Sequence, residues 1–193
     1  MANIQSQKLS SQVSGILNVR KHAKIDTALR ALMFASSLVS VVVMVTSKQT
    51  AMIQFSPVIT VPVDAKFTHS GSFTFFVAAL AVTCLYSLVT FVASFSAMKS
   101  QGQFSTEHQL HLVLLDSLLL GLVASATGAG GGVAYEALKG NPHIHWMKIC
   151  HIYDTFCDHL AAAGFVSLTT SMTLLLLIWL SVTTSGRALL QRE

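Results

Sequence analysis

The chain has 193 residues and a mass of 20.7 kDa, with 52% hydrophobic residues, 10% charged residues and a mean hydropathy of +0.62. Soluble domains carry roughly a quarter charged residues and disordered chains are poorer in apolar ones, so both classes are excluded. The net charge of +4 does not point to nucleic acid, because no aromatic-interleaved basic surface accompanies it.

A hydrocarbon core about 30 Å thick takes about 20 helical residues. Four runs meet that length, at residues 28–47, 73–97, 110–133 and 160–185. The reading is an all-α membrane protein, a four-helix transmembrane bundle over residues 25–186. A polar Gln/Ser-rich tail over residues 1–24 is expected to be disordered, and residues 187–193 form a short stub. No signal peptide is expected, since no small-residue cleavage site follows a short apolar core, and the first span serves as its own insertion signal.

The tail ends in Arg20, Lys21 and Lys24, placed beside the bilayer for contact with anionic lipid. Together with Lys8, Lys99, Arg187 and Arg192 they put seven basic residues on one side. The two long loops hold Lys48, Lys66, Lys139 and Lys148, offset by Asp64, Glu136, Asp154 and Asp158. Both termini are therefore expected in the cytosol and both long loops outside.

The first span contains Arg30 and the third Asp116, while the second and fourth contain no charge. An ion in hydrocarbon costs at least a few kcal/mol, so such groups face the bundle interior and seek partners. Arg30 lies about five residues from the inner edge and Asp116 about six, or roughly 7–9 Å in both cases at 1.5 Å per residue. Because both spans run outward, the depths match and predict an ion pair, within one bundle or between protomers. It reads as a clamp between helices, as part of an ion path, or, if unpaired, as Arg30 snorkelling to lipid phosphate.

Small residues form a second pattern. Ser36 and Ser40 in the first span, and Gly121 and Ser125 in the third, have the four-residue spacing that lets helix backbones approach closely. Gly128 and Gly132 continue the third-span series, and the cluster from 128 to 132 is able to loosen the helix end. The bland use of these faces is packing within the chain, and the sharper use is contact with a second protomer.

The second loop collects His143, His145, Trp146, Cys150, His151, Cys157 and His159. Seven residues along a continuous helix would set the cysteines about 10 Å apart, too far for a disulfide, so a bond requires a turn between them. Free thiols and a zinc site are the alternatives, although the spacing fits no standard zinc pattern. Cys84, in the second span, reads as a small buried apolar residue. No cofactor and no metal is expected, and no nucleophile with an activating base is visible.

The order of these features resembles a known family. Asp26-Thr-Ala-Leu-Arg30 entering the first span, Asp116 in the inner third of the third, and Trp146-Met-Lys-Ile-Cys150 followed by Tyr153 and Phe156-Cys157 look like the plant Casparian-strip membrane-domain-like proteins. The likeness covers about residues 24–187. It implies a four-span plasma-membrane protein related to MARVEL domains, with Arg30 and Asp116 as the family's embedded ions and Cys150 and Cys157 as its paired outer cysteines. It also implies homo- and hetero-oligomers with related four-span proteins, and a scaffold that recruits cell-wall-modifying proteins, with Trp146, Tyr153 and Phe156 on the outer-loop surface. The first loop lacks the compact acidic and aromatic pattern of the founding members, which points away from the endodermal barrier itself. A small channel or transporter lined by Arg30 and Asp116 is the alternative, and an enzyme is not expected.

Overall fold

A computed structural model describes residues 2–56, 59–100, 106–143 and 147–190, with side chains described for 21–52, 60–99, 108–143 and 147–184. Four helices among the described residues are long and apolar enough to cross a membrane, over Lys21–Thr46, Gly71–Lys99, His108–Lys139 and Asp154–Thr184. Each is longer than the matching sequence run, because a helix cannot stop at the edge of its apolar stretch without leaving backbone groups unpaired.

The helices are α1 (Ala2–Thr46), α2 (Gly71–Ser100), α3 (Thr106–Lys139) and α4 (Asp154–Leu190). α1 packs mainly against α2 and α4, and α3 against the same two, so α1 and α3 stand on a diagonal of the bundle. Four antiparallel spans bring the start of α1 and the end of α4 to one end of the bundle, the terminal end; the two long loops share the other, the loop end.

Two helix boundaries depart from the sequence reading. α1 runs back to Ala2, through the stretch predicted to be disordered; that stretch contains no Pro, and the helix already formed in the span extends without a new nucleation step. α3 continues through Gly128 to Gly132 without a break. It stops only at Gly140, whose φ of 71° closes the helix and lets its N–H donate to the Glu136 carbonyl at 2.8 Å. Asn141 then accepts from the His143 N–H at 3.1 Å beside Pro142, turning the chain away.

The bundle has apolar flanks and a seam of hydroxyls. Leu85, Val89, Leu118, Phe165, Met172 and Trp179 are exposed, as lipid-facing residues are, whereas Ser37, Ser40, Thr83, Ser87, Ser167 and Thr170 are fully buried. Most buried hydroxyls donate to the carbonyl three or four residues back, as Ser37 does to Met33 at 2.8 Å and Thr83 to Ala79 at 2.9 Å. The apolar core is built around Met33, Met44, Phe76, Leu80, Val123, Leu174 and Leu177.

The first long loop, to which the sequence reading assigned no secondary structure, contains a β-hairpin. β1 (Lys48–Ser56) pairs antiparallel with β2 (Ile59–Lys66), Lys48 opposite Lys66 and Met52 opposite Pro62, with an irregularity between Gln54 and Ser56. Alternation sets its faces: Gln49 and Ala51 are half-buried, Thr50 and Met52 exposed. Ala51 and Ala65 rest on the core. A 3₁₀ turn over Phe67–His69 leads into α2, and another over Ile149–His151 precedes α4.

Candidate functional site

The terminal half of the bundle holds one cluster of charges. Asp26 and Arg30 lie one turn apart on α1, and Arg30 Nε donates to Asp26 Oδ2 at 3.1 Å. Its Nη2 reaches across the diagonal to Asp116 Oδ2 on α3 at 3.5 Å. α2 supplies two hydroxyls: Tyr86 donates to Asp116 Oδ1 at 2.7 Å and Ser94 to Asp26 Oδ2 at 3.0 Å. Arg30 and Asp116 are 1% and 0% exposed, Asp26 26%. Three helices are thus tied at one level, with Asp26 on the side open toward the terminal end. Arg30 Nη1 is buried and has no hydrogen-bond partner among the described residues.

The sequence reading named only Arg30 and Asp116 as partners. Asp26 was legible from its four-residue spacing to Arg30, the geometry of a helix ion pair. Tyr86 and Ser94 were visible only as polar residues eight apart, hence on one face of a charge-free span.

Higher in the bundle the helices are joined by hydroxyls. Ser36 Oγ and Thr170 Oγ1 are 2.8 Å apart, Ser40 Oγ donates to the Ala163 carbonyl at 2.8 Å, and Thr127 and Ser167 hydroxyls meet at 3.0 Å. Ser36 and Ser40 therefore make the close α1–α4 packing. The third-span residues do not play that part. Gly121, Ser125, Gly128 and Gly132 are exposed on the outer face of α3, and a Cβ on any of those three glycines would meet nothing within 4 Å. The intramolecular reading of this stripe is overturned: the side of α3 that faces the bundle carries Leu119, Val123, Ala126 and Gly130 instead. Gly130 alone among them packs inward as a glycine, its Cβ position 3.7 Å from the Phe76 ring.

At the loop end Cys150 and Cys157 form a disulfide, their Cα atoms 5.7 Å apart. The turn that permits this is the 3₁₀ segment Ile149–His151 followed by the start of α4 at Asp154. Tyr153 and Phe156 are buried at 5% and 8% exposure, so the expectation that they form an outer surface is corrected. The Tyr153 hydroxyl donates to the Val63 carbonyl at 2.8 Å, and Phe156 packs edge-on against Phe73 at 6.3 Å. Both rings fill the space beneath the hairpin rather than facing outward. Trp146 and His145 lie outside the described residues.

Gln49 joins the hairpin to α4 with both ends of its amide. Its Nε2 donates to Asp154 Oδ1 at 3.0 Å, and its Oε1 accepts from the Phe156 N–H at 2.9 Å, satisfying one of the orphan donors of a helix start. On the hairpin, Lys66 Nζ contacts Asp64 Oδ2 at 2.9 Å and Thr50 donates to Asp64 Oδ1 at 2.7 Å. These bonds, from Lys66 first and then Thr50, hold the Asp64 carboxyl below the ordinary carboxylate range. Among the described residues no three His, Cys, Asp or Glu side chains converge as a metal set.

Comparison with known proteins gives one consistent family. The Casparian strip membrane protein domain matches residues 19–173. The chain is 47% identical to CASP-like protein 1D1 of Populus trichocarpa over 83% of its length and 82% of that protein's. It is 51% identical to CASP-like protein 1D2 of Glycine max over 82% and 81%, and 50% identical to CASP-like protein 1D1 of Arabidopsis thaliana over 81% of both. No solved structure matches the chain.

Proposed function

Because the chain belongs to the Casparian strip membrane protein domain family, we propose that it is a non-enzymatic scaffold that oligomerises and organises a subdomain of the plasma membrane. The observation that carries this reading is the contrast between its two sets of small residues. Ser36 and Ser40 are consumed in packing α1 on α4, whereas Gly121, Ser125, Gly128 and Gly132 line an exposed face of α3 where, among the described residues, a Cβ on any of the three glycines meets nothing within 4 Å. A glycine face gives lipid little to pack against but lets another helix backbone come close. It is the surface on which a second four-span chain, identical or related, is accommodated.

Charge supports the orientation. The two long loops carry four Lys or Arg residues, against seven in the tail, the short connector and the stub on the other side. Both termini then face the cytosol and both loops the exterior. There the hairpin and the disulfide-bonded segment form one docked surface, suited to recruiting cell-wall-modifying partners. The channel alternative needs a wet path, and the buried ions here close on each other and on Tyr86.

The test is purified full-length protein in liposomes and in supported bilayers. The scaffold reading expects slow lateral diffusion, stepwise photobleaching in several steps per spot and no solute flux. Solute flux abolished by Asp116→Asn would overturn it, as would single-step bleaching at all densities.

A further inference from the structure

Among the described residues, the three hydrogen bonds between the hairpin and the second loop all end inside the segment bounded by the two cysteines: on Tyr153, on Asp154 and on the Phe156 N–H. That segment has little structure of its own before α4 begins. It is one 3₁₀ turn, closed by the Ile152 and Tyr153 N–H groups on the Ile149 carbonyl at 2.9 and 3.1 Å. The hairpin is equally dependent. A two-stranded ribbon is marginal in water by itself, and its residues against the core, Ala51 and Ala65, are among the smallest apolar side chains. Each element is held in place by the other, and the covalent bond from Cys150 to Cys157 fixes the part that carries the contacts.

We propose that the Cys150–Cys157 bond is a redox latch on the hairpin. Oxidised, it holds Tyr153, Asp154 and the first turn of α4 in the geometry that grips Gln49 and Val63. Both cysteines are half-buried, so a reductant reaches them. An external dithiol attacks one sulfur as its thiolate, and the S–S bond breaks as a mixed disulfide forms. The dithiol's second thiol then resolves that intermediate. The dithiol leaves as its cyclic disulfide, and its two electrons and two protons end on Cys150 and Cys157 as thiols. The first turn of α4 then frays, Gln49 and Val63 lose their partners, and the hairpin, with Met52 and Val61 exposed toward its tip, is released. The latch operates in a single chain, whether or not the bundle assembles.

Hydrogen exchange on full-length protein in nanodiscs, followed by mass spectrometry over residues 48–66, tests this. Reduction with dithiothreitol, verified by alkylation of both thiols, is expected to speed exchange of the hairpin amides by about tenfold or more while leaving the four spans protected. Gln49→Ala combined with Tyr153→Phe, with the disulfide intact, is expected to give the same fast hairpin. Cys150→Ser with Cys157→Ser is expected to be fast before and after dithiothreitol. An unchanged hairpin in the reduced wild type overturns the latch, and so does full protection in the Gln49→Ala/Tyr153→Phe variant. The reduced wild type, folded with its bond in place, decides the matter even if the serine variant does not fold.

Discussion

Arg30 reaches Asp116 across the diagonal of the bundle, Nη2 to Oδ2 at 3.5 Å, while its Nε holds Asp26 on its own helix at 3.1 Å. One guanidinium serves two carboxylates, and the Tyr86 and Ser94 hydroxyls take up remaining lone pairs. Only a side chain as long and as rich in donors as arginine spans this gap while holding its own-helix partner.

Removing one member of the pair should therefore cost far more than removing both. Arg30→Met leaves Asp116 buried beside Tyr86 alone and is expected to destabilise the protein by about 3–5 kcal/mol. Arg30→Met together with Asp116→Leu is expected to recover more than half of that loss. Unfolding in mixed micelles, read as a double-mutant cycle, measures both quantities.

Tyr86 contributes a hydrogen bond to a buried carboxylate. Tyr86→Phe keeps the ring and removes only the donor, with an expected cost of about 1.5–3 kcal/mol. Ser94→Ala, whose partner Asp26 is partly exposed, is expected to cost less. The same unfolding assay ranks them, and an equal or larger loss for Ser94→Ala would count against the order given.

The two small-residue faces should respond oppositely to bulk. Ser36→Leu overpacks the α1–α4 contact and is expected to lower monomer stability by about 1–3 kcal/mol. Gly128→Leu meets open space and is expected to leave monomer stability unchanged while reducing assembly. Thermal unfolding and cross-linking yield in native membranes separate the two effects.

The Asp64 carboxyl, held below its ordinary range, contributes hairpin stability that is present above the unfolded value and is lost as pH falls through the depressed folded one. A carboxyl NMR titration of Asp64 is expected to show the low midpoint, and Lys66→Ala is expected to move it up toward the ordinary range. A midpoint unaffected by Lys66→Ala would show that the ion contact does not act on Asp64.

Much of this architecture could be read from local pattern. Uninterrupted apolar length identifies a span because lipid offers the backbone no hydrogen bonds, so each run must become a helix. The rarity of Arg30 and Asp116 within such runs marked them out. The hairpin went unrecognised, although Thr50 to Phe55 and Val58 to Val63 are rich in strand formers around Ser56-Pro57. Tyr153 and Phe156 were misplaced on the surface because an aromatic in a loop has the same spelling whether it faces water or fills a gap.

The sequence by itself determined that the chain holds four stretches long and apolar enough to span a bilayer, and that two opposite charges lie at similar depth within them. These follow from composition along one dimension, where the cost of burying an ion or a bare peptide group acts residue by residue. Only the tertiary structure decided that α1 and α3 stand on a diagonal, that Ser36 and Ser40 are packed while Gly121 and Gly128 are free, and that the hairpin rests on the disulfide-bonded start of α4. Which face of a helix meets a neighbour depends on the rotation of whole helices about their axes, and that angle is set jointly by every contact in the bundle rather than by any short stretch of chain.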